Sequence, residues 1–304
     1  MKSRALRTVL GALVCLLASS ASASKEPRLR FAWPVPTRVV VHETSTKKGQ
    51  TARVRYEVVV SRDPKSANLH VQLQNFAFLK IDGIDLDDPK LKKELAQARA
   101  LAEAIPTLVV APSGRFVDVT GYREMVEKVV ATLPGLDPRM KELLLSPSMV
   151  AMMKEKSVEF WRLWVAFWID VPVLPGGSAS VRMTVPLPDG TKAEVPAMVR
   201  HLGPDASNAK LVVLSMESTL AGDAPLAAMR RFAKQSASED SHGHGSVNDE
   251  MLEAVTKRSK MRLVTDPSSM RPRVAESEST TELKVKGQPP QTQLEKHVYE
   301  FDWK

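Results

Sequence analysis

Apolar and polar positions alternate with a period of two along much of this chain. Thr51 to Ser61, "TARVRYEVVVS", alternates through Val54, Tyr56 and Val58, and Asn68 to Leu79 does so through Leu69, Val71 and Leu73. This is the pattern of half-buried strands. Thr37 to Glu43 precedes them, separated by a Lys47-Lys48-Gly49-Gln50 turn, and Asp63-Pro64 marks the next turn. Three strands with short turns predict an antiparallel meander. Thr107–Ala111 and Arg115–Val119 predict a hairpin around Pro112-Ser113-Gly114. Ser178–Leu187, Ala193–Leu202 and Ala209–Thr219 predict a second meander, and 260–264, 273–285 and 292–303 add further strands.

Helical signals fall between these runs. Asp88-Pro89 offers a cap and a proline at the first helical position, with Leu91, Leu95, Ala98 and Ala102 on one face until Pro106. Gly121–Leu133 and Pro138–Leu145 predict two short helices, and Ser146-Pro147 opens a longer one expected to reach Asp170. Pro225–Lys234 and Asn248–Lys257 predict two more, around a polar, aperiodic segment, 236–246, expected to be a mobile loop. The expected fold class is therefore α+β: a curved antiparallel sheet of about nine strands packed on several helices, in a single domain spanning residues 24–304.

The first 23 residues read as a signal peptide. Lys2, Arg4 and Arg7 precede an apolar run from Val9 to Ala18, and Ala21-Ser22-Ala23 gives a small-x-small cleavage site. The run is too short for a bilayer span of about 20 residues. The protein is expected to be exported, to the periplasm or the exterior. Cys15, the single cysteine, lies in this leader, so no disulfide, thiolate metal site or cysteine nucleophile is expected after cleavage. The formal charge of +8 falls to +5 without the leader's three basic residues, and the cations are scattered among acids. Nucleic acid is not an expected partner.

Catalytic signatures are missing: there is no G-x-S-x-G, H-E-x-x-H, P-loop or dinucleotide fingerprint. The chain is read as non-catalytic, with no cofactor. His242 and His244, behind Glu239 and Asp240, are weak metal candidates, because the loop around them supplies no rigid third ligand. Asp82, Asp85, Asp87 and Asp88 lack the order of an EF-hand loop and read as a turn and a helix start.

The densest chemical signal is aromatic. Of 16 aromatic residues (8 Phe, 5 Trp, 3 Tyr), five fall within Phe160–Trp168, in "SVEFWRLWVAFWID". On a helix, Trp161, Trp164 and Trp168 share one face, Phe160, Leu163 and Phe167 form the adjoining stripe, and Met149, Val150 and Met153 continue the apolar side. A plain core accounts for the Phe and Leu stripe. Three indoles, each with an N–H wanting a partner, fit a wall between apolar and wet surroundings better. Trp161, Trp164, Phe167, Trp168 and Met153 are thus the candidate lining of a ligand cavity.

An exported chain without cysteine after cleavage, with successive antiparallel strands wrapped on helices, resembles the LolA/LolB-like half-barrel carriers of the bacterial envelope. The resemblance implies an acyl chain held between a curved sheet and internal helices. It rests on element order alone and carries over no residue. Two functions stay open: binding of an apolar or lipid-like ligand beside the 147–170 helix, or a protein–protein interaction and scaffold role in the cell envelope. A hydrolase is the third reading.

Overall fold

A computed structural model describes residues 29–86, 105–132, 141–142, 144–169, 171–187, 189–239 and 251–303. Twelve strands form one antiparallel sheet: β1 (Thr37–Lys47), β2 (Gln50–Arg62), β3 (Leu69–Ile81), β4 (Ile84–Asp85), β5 (Thr107–Val110), β6 (Phe116–Thr120), β7 (Ser178–Pro186), β8 (Lys192–Pro204), β9 (Val212–Leu220), β10 (Leu252–Thr265), β11 (Pro272–Val285) and β12 (Gln291–Trp303). Their spatial order is β6-β5-β3-β2-β1-β12-β11-β10-β9-β8-β7, with β4 paired to β3. The helices described are α1 (Tyr122–Thr132), α2 (Pro147–Trp161), continued by a π-helical turn at Arg162–Ala166, and α3 (Asp223–Glu239).

The expected α+β class is corrected by this architecture, which is nearly all-β: a curved, unclosed sheet with three short helices. Both predicted meanders are present, β1-β2-β3 and β7-β8-β9. The β1–β2 turn has both central residues at positive φ, Lys48 at 52° and Gly49 at 81°, as a two-residue hairpin loop requires. The two-residue β4 is the strand with no expected counterpart, and β10 starts well before the expected 260–264 run because a bulge breaks its alternation. Asn248–Lys257 reads as a helix because Leu252 and Val255 are three apart, yet both are buried in the 14-residue strand β10. A register shift between Leu252 and Ala254 inserts one residue, turning a spacing of two into three. At the other end of that linker, α3 runs on to Glu239, so residues 236–239 of the expected loop are helical. The signal peptide with Cys15, the 88–106 helix up to 104, most of the 138–145 helix, Asp87 and Asp88, and the rest of the loop with His242 and His244 lie outside the described residues.

The curved sheet packs a helix against its buried face. The α2 helix packs against β6, and the π turn packs against β10 and β11. In a flat sheet β6 and β11 stand six strand spacings apart, roughly 29 Å at ~4.8 Å each. The helix and its π turn, 147–166, are about 30 Å long, so the N-terminal part meets β6 while the turn meets β10 and β11, along the trough of the curved sheet. Inward positions of β1, β2 and β3 supply Val39, Val41, Tyr56, Val58, Val60, Leu69 and Val71, all buried. The outer face carries cross-strand ion pairs such as Arg38–Glu57 (2.7 Å) and Arg262–Glu276 (3.1 Å).

Candidate functional site

Helix α2 starts where the sequence places it. The Ser146 side chain accepts from the backbone N–H of Met149, and Pro147 occupies the first turn. It does not continue as an α-helix to Asp170. The N–H of Phe167 donates to the carbonyl of Arg162 (3.0 Å), a five-residue step that makes the π turn. Three consecutive residues there, Leu163, Trp164 and Val165, are all buried, so this end is enclosed on most of its circumference. The aromatic stretch is the plug of the trough.

The indoles are its innermost part. Trp161, Trp164 and Trp168 are each 0% exposed, not the semi-exposed cavity wall their chemistry suggests. Trp161 Nε1 donates to the carbonyl of Gly114 (2.8 Å), and Trp168 Nε1 to that of Leu163 (2.6 Å). Outside the helix, Trp33 donates to Met270 O (2.9 Å) and Trp303 to Pro272 O (2.7 Å). Four of the five indoles thus reach a backbone carbonyl. Trp164 Nε1 alone is buried without a partner among the described residues. Its ring meets Phe160, Tyr299 and Phe301 at centroid distances of 4.6, 5.4 and 5.0 Å. Gly114 is required by space as well as conformation: its φ is +85°, and a Cβ there would lie 2.7 Å from Phe31. That close approach brings Phe31 against Trp161, with ring centroids 5.6 Å apart.

The cavity lies on the other stripe. Phe160, Leu163 and Phe167, expected to be core, line a cleft of about 240 Å³ between the helix and β7–β12. Of the residues proposed from sequence, Phe167 lines it; Trp161, Trp164, Trp168 and Met153 do not. Met183, Val195 and Met261 complete its apolar wall.

The cleft exists because its floor is made of small side chains. Cross-strand register sets Ala197, Ser218, Ser259, Ser279 and Glu295 in one row on β8, β9, β10, β11 and β12. Ser218, Ser259, Ser277 and Ser279 all line the cleft. Two inward rows deeper, past Met216, Met261, Ser277 and His297, the row of Leu214, Leu263, Ala275 and Tyr299 closes the core beneath the plug. Sequence reasoning missed the serines because serine at an inward strand position reads as a solvated face. Their signal is the strict alternation in Glu276-Ser277-Glu278-Ser279, with serine on the side that an apolar strand would bury.

One wall is ionic. His297 Nδ1 lies 3.0 Å from Glu43 and its Nε2 3.3 Å from Glu295, which also takes Lys47 at 3.3 Å. The hydrogen bond to Glu43 raises the imidazole's pKa against the opposing effect of partial burial, and the charges of Glu43 and Glu295 add to it. Burial pushes Glu295 upward, but the hydrogen bonds from His297 and Lys47 outweigh it and lower its pKa. Burial, then the Glu43 charge, hold Tyr56 and Tyr299 neutral well above the usual phenol range. Ser277 sits directly across from His297 in register. Both ring nitrogens already face carboxylates, so the imidazole has no nitrogen left to take a proton from that serine, as a hydrolytic triad would require. His297 is thus arranged as the centre of an ion-pair cluster with Glu43 and Glu295.

Asp82 occupies the β3–β4 turn, where its carboxylate accepts from the N–H of Thr51 (2.7 Å). No group of three or more metal-ligating side chains occurs among the described residues. No described helix is long and apolar enough to cross a membrane. Comparison with known protein families and with curated protein sequences finds no match.

Proposed function

We propose that this protein is an exported, non-catalytic binding protein that holds a single-chain amphiphile in the cleft beside α2. The observation that carries the reading is the two-sided lining: Phe160, Leu163, Phe167, Met183 and Met261 on one side, serine hydroxyls and charged groups on the other. Ligand sites combine a mostly apolar wall with a few polar groups that fix orientation. At about 240 Å³ the cleft is a little below the ~300–1,000 Å³ of drug-sized sites, which suits one chain rather than several. An acyl chain between a curved sheet and a helix is also the mode implied by the LolA/LolB-like outline.

The test is native mass spectrometry of the purified protein, followed by calorimetric titration with dodecyl amphiphiles. A co-purifying acyl compound, or binding of dodecyl compounds that is abolished by Ser259→Phe, is the expected result. That substitution fills the floor without touching the tryptophan plug. Failure to bind any dodecyl amphiphile, with the fold intact by circular dichroism, refutes the reading.

A second reading, an envelope interaction module, is favoured by one observation: the sheet ends at β7, a nine-residue strand with an unpaired edge among the described residues. A dimer mass in the same native spectrum, lost on placing a proline at Val181, would support it.

A further inference from the structure

We infer that the amphiphile this cleft takes carries an anionic oxygen head, a carboxylate or phosphate, seated on Lys257 and the hydroxyls of Ser218 and Ser259. The inference rests on the binding reading above and names the chemistry of its ligand.

The charges of the cleft decide it. Seven fixed charges line it: Lys156, Arg162, Lys257 and Lys260 against Glu159, Glu278 and Glu295. Most are already matched inside the protein. Lys156 pairs with Glu159 (3.3 Å), Arg162 with Glu155 (2.6 Å), and Glu295 with both Lys47 and His297. Lys260 forms no ion pair with a described residue, but it is flanked by acids, standing across from Glu278 in the β10–β11 register and from Glu217 in the β9–β10 register. Lys257 is left over. Its neighbours in register are Leu220 and Thr281, neither of them acidic, and it makes no ion pair with any described residue.

The hydroxyls point to the same chemistry. Ser218 and Ser259 are direct cross-strand partners, and Ser279 is the next in the row. None of the three has a hydrogen-bond partner among the described residues. Serine can donate to an oxyanion and is content with water otherwise, so a row of them beside one uncompensated ammonium suits anionic oxygen without imposing one geometry. The carboxylate-rich wall of Glu43, Glu295 and His297 lies at the β12 side, away from Lys257 on β10. The head is therefore placed toward β9 and β10, with the chain running under Phe160, Leu163 and Phe167. A cationic head would meet Lys257 with no acidic residue across from it in register.

Four probes of equal chain length test this by isothermal titration: laurate, dodecyl phosphate, glycerol monolaurate and dodecyltrimethylammonium. Laurate or dodecyl phosphate, or both, should bind at least about tenfold more tightly than the neutral and cationic probes, and added salt should narrow the gap. Preference between the two anions tells a fatty-acid source from a phospholipid one. Lys257→Gln should remove the anion preference, leaving monolaurate affinity unchanged, and Lys257→Arg should retain it. Equal affinity for all four probes, or an anion preference that survives Lys257→Gln, overturns the inference while leaving the binding reading standing. Binding of none overturns both.

Discussion

The unpartnered indole of Trp164 predicts an inequality between two otherwise matched substitutions. Trp161→Phe and Trp164→Phe each replace a fully buried indole on the same plug with a phenyl ring. The loss of volume is common to both, so it largely cancels in the difference. What remains is the N–H. At Trp161 the substitution removes the hydrogen bond to Gly114 O and strands that carbonyl, a cost of about 1–3 kcal/mol. At Trp164 it removes a donor that has no partner, which returns about 1–3 kcal/mol. Trp164→Phe should also keep its ring contacts with Phe160, Tyr299 and Phe301. Trp161→Phe should therefore be less stable than Trp164→Phe by about 2–4 kcal/mol, allowing for incomplete additivity. For scale, truncating either to alanine should cost about 3–5 kcal/mol. The assay is urea unfolding followed by far-ultraviolet circular dichroism, with equal m-values required before midpoints are compared. If Trp164→Phe proves as destabilising as Trp161→Phe, the indole has a partner and the reasoning fails.

Gly114→Ala should cost about 2–4 kcal/mol, from left-handed strain plus a Cβ driven into Phe31 and Ile169; a loss under about 1 kcal/mol would mean the hairpin shifts freely. For His297 the folded pKa is raised, so its pairing stabilises fully below about pH 6.5, the unfolded value, and fades as pH rises through the folded value. The stability gap between the native protein and His297→Gln should thus be larger at pH 6 than at pH 9, measured by denaturant midpoints; a gap independent of pH would show that the ring is held by packing alone.

Alternation made the strands legible wherever it ran unbroken, as through Val54, Tyr56 and Val58. It failed at β10, where one bulged residue imitated helical spacing. The long aromatic segment was legible as a helix start, from Ser146 and Pro147, and as an apolar arc too wide for an ordinary surface helix. What the sequence could not show is that the sheet curls round that arc. Enclosure buries the larger rings deepest and leaves the phenyl stripe beside the opening, inverting the order that indole polarity suggests. The cleft itself was invisible for a related reason: its floor depends on which serines fall in one cross-strand row. Row membership comes from the register of five strands, and only the assembled sheet has it.

The pairing of β12 with β1 has a consequence for how the molecule comes to be folded. Glu43 and His297 touch across this seam although 254 positions separate them in the chain. The runs on either side of it, β1-β2-β3 and β7 through β12, pair strands that are consecutive in the chain and can condense early. The seam between them pays the entropy of closing a very long loop and waits for the last strand. Until then β1 and β11 each present an open edge in the middle of the future sheet, next to unfilled aromatic core. Chain aggregation should be most dangerous in that interval. Any helper that binds the unfolded chain would serve best by shielding those two strands.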